Sequence, residues 1–462
     1  MMAFMNTPST TTSRRRFLQS GAAAAATFGF PTIVPSSVFG QNAPSNRITM
    51  AVIGWGMMGP SNAKSFLNET DCQIVAACDL DKGRLDAALK TINETYKNQD
   101  CKTYHDYREV MARKDIDTVM LAVPDHWHAL TAIEAAKNGK DIYGEKPLAR
   151  TIHEQQAIVK AVQANNRIWQ TGSWQRSRDE FRIAAEVVRN GLIGKITSVE
   201  VGLPSGHNDF AKTGDKTQIT PPPADLDYEM WIGPAQMEPY IEARVHKNWR
   251  WNYNIGGGQL LDWIGHHCDI AHWGMDCDNT GPSEVIPLGA DFPPRDAVWN
   301  TATKYRAEAK YADGITMTIA GGHPDIRSGT KWIGTDGWVW VDRSGYDASK
   351  DDLRRKIQKR DKDGKVVDAY VAPKLGDDII KSPLYRSPGH HRNFLDCVKS
   401  RQPTITPVTT AHHSAIPGHL ALIALMENRT LKWDFAAEQL LNDPAAAKLL
   451  GREYRTPWKL PA

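Results

Sequence analysis

The 462-residue chain is poor in cysteine, with six (Cys72, Cys78, Cys101, Cys268, Cys277 and Cys397), and it has no C-x-x-C pair and no cysteine–histidine spacing of a zinc site. No metal centre is expected, and most of these thiols read as small core residues. Excess charge of one sign is also missing. Lys and Arg number 56 against 53 Asp and Glu, and Arg14, Arg15 and Arg16 are the only charged side chains before Arg47, so the balance beyond them is 53 to 53. That excludes a charge-driven binder of nucleic acid or of an acidic membrane surface. No internal repeat is found, and no apolar run is long enough for an integral span. What is present is a globular composition, 41% hydrophobic and 24% charged with 15 tryptophans, on a chain long enough for two or more domains.

The start of the chain reads as an address. Ser13-Arg14-Arg15-Arg16-Phe17-Leu18-Gln19 precedes an uncharged Gly/Ala/Phe-rich stretch from Gly21 to Phe30, then Pro31, Pro35 and the small residue Gly40. A basic region, a short apolar region and a small-residue cleavage region make up a signal peptide. The paired arginines followed by Phe-Leu resemble the twin-arginine export signal, which places residues 1–40 outside the fold and the mature protein in the periplasm or at the surface. That route carries proteins already folded.

After the leader, Ile48 to Ile53 is an apolar run with the character of a buried parallel strand. Gly54-Trp55-Gly56-Met57-Met58-Gly59 follows directly. In this pattern the first glycine permits a tight turn, the second lets the backbone approach a pyrophosphate, and the third lets helix and strand pack closely. Pro60 suits the first turn of the next helix, whose N-terminus offers N–H groups and positive dipole to phosphate. A second apolar strand, Ile74 to Cys78, ends in Asp79, twenty residues past Gly59, where a carboxylate accepts bonds from the adenosine ribose. The same carboxylate repels a 2′-phosphate, so NAD is expected over NADP, a preference that Lys82 and Arg84 soften.

The alternation continues through helices at 82–96, 106–112 and 126–138 and strands at 118–123 and 141–143, which predicts a doubly wound parallel sheet over residues 47–171. Ligands bind at the carboxyl ends of such strands. Pro124-Asp125-His126-Trp127-His128 and Gly144-Glu145-Lys146-Pro147 therefore stand at the mouth of the cofactor cleft.

Glu145-Lys146-Pro147 closing a strand of such a domain resembles the signature of the glucose-fructose oxidoreductase and inositol dehydrogenase family, Gfo/Idh/MocA. A second matching element is the run from Gly256-Gly257-Gly258 through Asp262 to His266-His267-Cys268-Asp269, with Ile264 where many members carry glycine and Gly265 one place late. The segment His391 to Val398 also matches. The resemblance implies a Rossmann NAD-binding domain followed, from residue 172 to 462, by an α+β substrate domain with a large open antiparallel sheet. It places Lys146, His266 and Asp262 in the catalytic roles. Gly54, Gly56, Met57, Met58, Gly59, Asp79, Pro124, His128, Glu145 and Lys146 then form the cofactor set, and Gln175, Arg176, Trp251, Asp262, His266 and His267 the substrate set. The residue types agree with alcohol oxidation, which needs a base titrating near neutrality. Asp262 and His266, four apart on a helix, share a face, so the carboxylate is expected to orient the imidazole. Asp269 has two readings, a bond to substrate or to the next turn.

Beyond helix 152–165 and strand 168–171 the parallel pattern stops. Strands are expected at 197–203 and 285–290, with turns at Ala312-Asp313-Gly314 and Asp336-Gly337. Between the first two strands, a long segment with Pro221-Pro222-Pro223, Trp231, Trp249 and Trp251 is either a cap over the site or a mobile loop. Several tryptophans bracket the catalytic elements, where indole faces suit the C–H faces of sugars. Three functions follow: an NAD-dependent oxidoreductase acting on a ring hydroxyl of a sugar, glycoside or cyclitol; a redox-neutral glycoside hydrolase or sugar–sugar transhydrogenase that keeps its NAD; and a non-catalytic sensor. A homo-oligomer is expected, because an open sheet face left in water exposes apolar surface.

Overall fold

The computed structural model describes residues 47–361 and 363–461. The expected leader, residues 1–40, lies outside them. Six parallel strands, β1 (Ile48–Ile53), β2 (Cys72–Cys78), β3 (Lys102–Tyr104), β4 (Thr118–Leu121), β5 (Asp141–Gly144) and β6 (Trp169–Thr171), form one sheet in the order β3-β2-β1-β4-β5-β6. The order reverses between β1 and β4, which opens a crevice at their carboxyl ends. Helices Gly59–Leu67, Lys82–Tyr96, His128–Lys137 and Ile152–Ala164 provide the crossovers. Their starts follow local chemistry: Asp81 accepts from Arg84 N at 3.0 Å and the Thr151 hydroxyl accepts from Glu154 N at 3.3 Å. The 106–112 prediction is met with Asp106 as cap of helix Tyr107–Ala112, and 126–138 resolves into a short 3₁₀ turn, Asp125–Trp127, feeding the 128–137 helix.

The second sheet has nine strands: β7 (Ile196–Leu203), β8 (Glu284–Asp291), β9 (Lys304–Lys310), β10 (Thr316–Gly321), β11 (Gly329–Gly334), β12 (Gly337–Val341) and β13 (Tyr346–Ala348), then, after a separate hairpin of β14 (Arg355–Arg360) and β15 (Val366–Val371), β16 (Leu431–Asp434) and β17 (Gln439–Leu440). Their order is β13-β12-β11-β7-β10-β9-β8-β16-β17. The sheet is mixed rather than wholly antiparallel: β7 and β10 pair in parallel, because the long 204–315 excursion returns the chain beside β7 running the same way. Both predicted turns are present, joining β9 to β10 and β11 to β12. Alternation sends Val199, Val201, Met317, Ile319 and Trp332 inward. Helices Asp179–Arg189, Gly258–Met275 and Val408–Glu427 cover that face. All six cysteines are buried. Among the described residues no helix is long and apolar enough to cross a membrane.

The tryptophan-rich excursion is a folded cap. Leu226, Tyr228, Trp231, Ile232, Tyr240, Val245 and Trp249 make their own core with Leu80. Backbone bonds from Lys82 N to Asp225 O (2.9 Å) and from Asp227 N to Leu80 O (3.1 Å) tie the cap to the end of β2.

Candidate functional site

The crevice is a cleft lined by Gly54, Gly56, Met57, Met58, Asp79, Pro124, Glu145 and Lys146 from the first sheet and by Met230, Trp231, His246, Lys247, Trp249 and Arg250 from the cap. Gly54 has φ +92°, and a Cβ there would lie 2.5 Å from Ala122 O; one on Gly59 would lie 2.2 Å from Gly54 O. Only glycine permits this turn. No side chain caps the 59–67 helix, so its first N–H groups are left for a ligand. Asp79 does not cap a helix; its carboxylate accepts from Trp55 N (2.6 Å) and Asp81 N (2.9 Å), which holds the glycine turn against β2. Burial pushes its pKa up despite these bonds. The Arg84 guanidinium covers Gly56, 3.1 Å from where a Cβ would stand. A bare cradle, an uncapped helix and a carboxylate at the end of β2 fit a dinucleotide.

At the other end of the cleft, Lys146 Nζ donates to Asp262 O at 2.8 Å and to Asp262 Oδ1 at 3.0 Å. Arg250 Nε, from the cap, donates to the same Oδ1 at 2.9 Å. Burial opposes ionisation of Asp262, but the two cations prevail and hold its pKa down at about 2. The expected support of His266 by Asp262 is thus replaced by support of Lys146, because a buried carboxylate gains more from two cations than from a neutral imidazole. His266 is buried with Nδ1 lacking a partner, and burial, with Lys146 and Arg343 nearby, pushes its pKa well below the usual histidine value. Burial and these cations disfavour its protonated form, so it departs from the expected base that titrates near neutrality. Gly265 permits the approach of helix and lysine: a Cβ on it would stand 3.0 Å from Lys146 Cβ. Ile264 packs on Gly418 of the 408–427 helix, so the one-residue offset of the glycine has a structural use.

Glu145 accepts from Asn62 Nδ2 at 2.7 Å. His128 places both ring nitrogens on carbonyl oxygens, Pro147 O at 2.7 Å and Val123 O at 2.9 Å. It braces the Glu145-Lys146-Pro147 turn and is not part of the cleft lining. His267 donates from Nδ1 to Gly202 O at 2.9 Å and leaves Nε2 buried and unbonded. Gln175 is buried with neither amide atom bonded. Arg176 is committed elsewhere: it grips Asp269 at 2.8 Å and Asp278 at 2.7 Å, and all its donors are inside this knot. Asp269 was read as bonding substrate or the next turn; its carboxylate instead pairs with Arg176 of the 174–177 turn. Trp251 has no exposed surface; its ring stacks on His207 with centroids 5.5 Å apart.

Two groups of the site lay outside the catalytic, cofactor and substrate sets: Asp125, expected only at the cleft mouth, and Arg250, expected only as a neighbour of the tryptophans that bonds hydroxyls. Arg250 is adjacent to Trp251 in sequence, but its bond to Asp262 forms only when the cap folds back. Asp125 lines the cleft, and burial, with Asp262 nearby, pushes its carboxyl pKa up to about 7 despite Arg250, Lys146 and Arg150. Its position at the carboxyl end of β4 was the available signal. Among the described residues, no cluster of three His, Cys, Asp or Glu side chains could hold a metal ion.

Comparison with known proteins gives two family models. Residues 48–173 match the oxidoreductase family's NAD-binding Rossmann fold, and residues 180–373 and 360–460 match the C-terminal alpha/beta domain of the same Gfo/Idh/MocA family. A glycosyl hydrolase family 109 protein of Shewanella woodyi is 30% identical over 167 residues, 35% of this chain and 35% of that protein. An inositol 2-dehydrogenase of Salmonella typhimurium is 30% identical over 146 residues, 31% of this chain and 42% of that protein. The chain thus spans less than half the length of these relatives. The myo-inositol 2-dehydrogenase of Lactobacillus plantarum has the same fold, with TM-score 0.56 at 20% identity over 84% of this chain and 99% of that one.

Proposed function

The chain belongs to the Gfo/Idh/MocA oxidoreductase family, with its NAD-binding Rossmann fold, and from that premise we propose that it oxidises a ring CH–OH of a sugar, glycoside or cyclitol. The observation that carries this reading is the Lys146 ammonium, fixed on Asp262 at the end of a dinucleotide-shaped cleft. A bound nicotinamide ring supplies the hydride acceptor. As the C–H bond gives up its hydride, the hydroxyl proton passes to the protein and the alcohol becomes a ketone. Lys146 faces the oxygen and steadies its developing charge, and His266, whose Nδ1 has no partner in the protein, takes the proton. Asp262 and Arg250 keep the lysine aimed. Asp79 at the ribose end favours NAD over NADP, with Arg84 close enough to moderate that choice.

Likeness to the Shewanella glycosyl hydrolase over 167 residues supports a second reading, in which the dinucleotide stays bound and is re-reduced and re-oxidised within each glycoside cleavage. The paired arginines of the leader support export, which suits an enzyme that carries its own cofactor. A second copy of the chain would cover the outer face of the nine-stranded sheet, where Leu288 is 52% exposed.

The test is to purify the mature protein without added cofactor, denature it and assay released NAD and NADP. Separate reactions offer sugars with added NAD, and aryl glycosides without it. Reduction of added NAD supports the dehydrogenase; glycoside cleavage on retained NAD supports the redox-neutral cycle. Neither activity, with Lys146→Ala behaving as the parent protein, overturns both.

A further inference from the structure

His266 has neighbours that the proton transfer does not use. The indoles of Trp174 and Trp263 stand edge-on to its ring, with centroids 6.4 and 5.5 Å away. Over both indoles lies the guanidinium of Arg343, from the turn between β12 and β13, at 4.6 Å from the Trp174 centroid and 4.4 Å from that of Trp263. Two aromatic contacts hold its plane in place. Its Nε and Nη2 are nevertheless buried and have no hydrogen-bond partner. These nitrogens share one edge of the guanidinium, the edge that meets both oxygens of a carboxylate in a bidentate pair.

A buried donor pair left unbonded is uncommon, and its desolvation is a cost that a ligand would recover. The nearby carboxylates, Asp262 and Asp342, give no hydrogen bond to Nε or Nη2 and are bonded elsewhere through Oδ1. Asp262 is held by Lys146 and Arg250, and Asp342 accepts from Ser344 N at 2.6 Å and Gly345 N at 3.1 Å in its own turn. The neighbouring cation, Arg178, which lies 5.7 Å from the Trp174 centroid, pairs with Glu180. Arg176, buried but closed by Asp269 and Asp278, shows what a structural arginine looks like here. Arg343 is less buried as a whole, but its Nε and Nη2 are buried and lack such partners.

We propose that Arg343 is the specificity residue of this site and that the substrate is a sugar acid whose carboxylate closes the Nε–Nη2 edge. The inference rests on the hydride-transfer reading for the placement of substrate beside His266, and it narrows the substrate from carbohydrates at large to anionic ones. A bidentate, charge-assisted pair in this setting gives the acid roughly tenfold or more over its neutral analogue.

The experiment titrates methyl glucuronide, methyl glucoside and a sulfate ester of the glucoside into the dinucleotide-loaded protein, followed by tryptophan fluorescence, and repeats the series with Arg343→Gln and Arg343→Lys. Dinucleotide affinity serves as the control for folding. The expected result is selective binding of the glucuronide, lost in Arg343→Gln and partly kept in Arg343→Lys, with the glucoside unaffected. Equal binding of acid and neutral sugar, no binding of the glucuronide to protein that holds dinucleotide normally, or a selectivity untouched by Arg343→Gln overturns the proposal. Preference for the sulfate ester overturns the carboxylate assignment. Selective glucuronide binding without reduction of NAD supports the anion site while refuting hydride transfer, so the two readings fail separately.

Discussion

Asp262 accepts Lys146 Nζ on Oδ1 at 3.0 Å and takes Arg250 Nε on the same atom at 2.9 Å, so one carboxylate oxygen sets the position of both cations. Asp262→Asn keeps the shape and removes the charge. The expected outcome is a fall in kcat of about 10²- to 10⁴-fold, the usual share of a positioned proton-transfer group. Dinucleotide affinity should stay within a few-fold, because Asp262 is not part of the cleft wall. Steady-state rates with an equilibrium dinucleotide titration separate the two. A loss confined to dinucleotide binding would place Asp262 outside the chemistry.

The glycines of the turn should separate fold from ligand. A Cβ at Gly54 would stand 2.5 Å from Ala122 O at a φ of +92°, so Gly54→Ala strains the backbone, by about 1–3 kcal/mol, as well as weakening cofactor binding. A Cβ at Gly56 meets only the mobile end of Arg84, at 3.1 Å. Gly56→Ala should therefore leave Tm near that of the parent while lowering dinucleotide affinity by tenfold or more, through crowding of the pyrophosphate path. Thermal melts with and without dinucleotide decide it; an unchanged ligand-induced rise in Tm would refute the assignment of this turn.

The glycine fingerprint, Asp79, the Glu145-Lys146-Pro147 turn and the 258–275 helix are legible in the sequence because each is a local pattern: a turn that only glycine can make, a strand that ends in a carboxylate, a repeat of four along one helix face. The partners of those residues are not legible. Arg250 reaches Asp262 only through the fold of the cap, and Arg343 meets Trp174 and Trp263 from three separate elements. Arg176 and Arg343 look alike as letters; the carboxylates that satisfy one and not the other come from distant turns. The parallel pairing of β7 with β10 was hidden for the same reason, since it depends on where the long excursion returns.

Asp125 gives the site a pH signature. Burial, with Asp262 nearby, raises its pKa from the ordinary 3.8 to about 7, so the folded protein holds this proton over a range in which the unfolded chain has lost it. Between about pH 4 and pH 7 the native state binds more protons, and stability falls as pH rises. Asp125→Asn cannot ionise and lacks that slope. Denaturant unfolding at pH 5 and pH 8 should show the wild type losing ground to Asp125→Asn on going to the higher pH. A constant difference between the two proteins would mean that the carboxyl does not titrate in this window.

Gly418 tests how closely the 258–275 helix is seated. Replacing glycine by alanine inside a helix ordinarily stabilises by about 1 kcal/mol. Here a Cβ would lie 2.3 Å from Ile264 Cγ1, 2.5 Å from Cδ1 and 3.0 Å from Cβ, and the last of these cannot swing away. The sign should reverse: Gly418→Ala is expected to destabilise by about 1–3 kcal/mol, the range for overpacking a dense core. Relief must come from Ile264, one residue before the glycine that admits Lys146, so a helix forced outward would also loosen the Lys146–Asp262 bond. The double variant Ile264→Val with Gly418→Ala should recover part of the loss in both stability and kcat. Denaturant midpoints and rates on the four proteins of this cycle check it; additive effects would show that Gly418 and Ile264 do not share a contact.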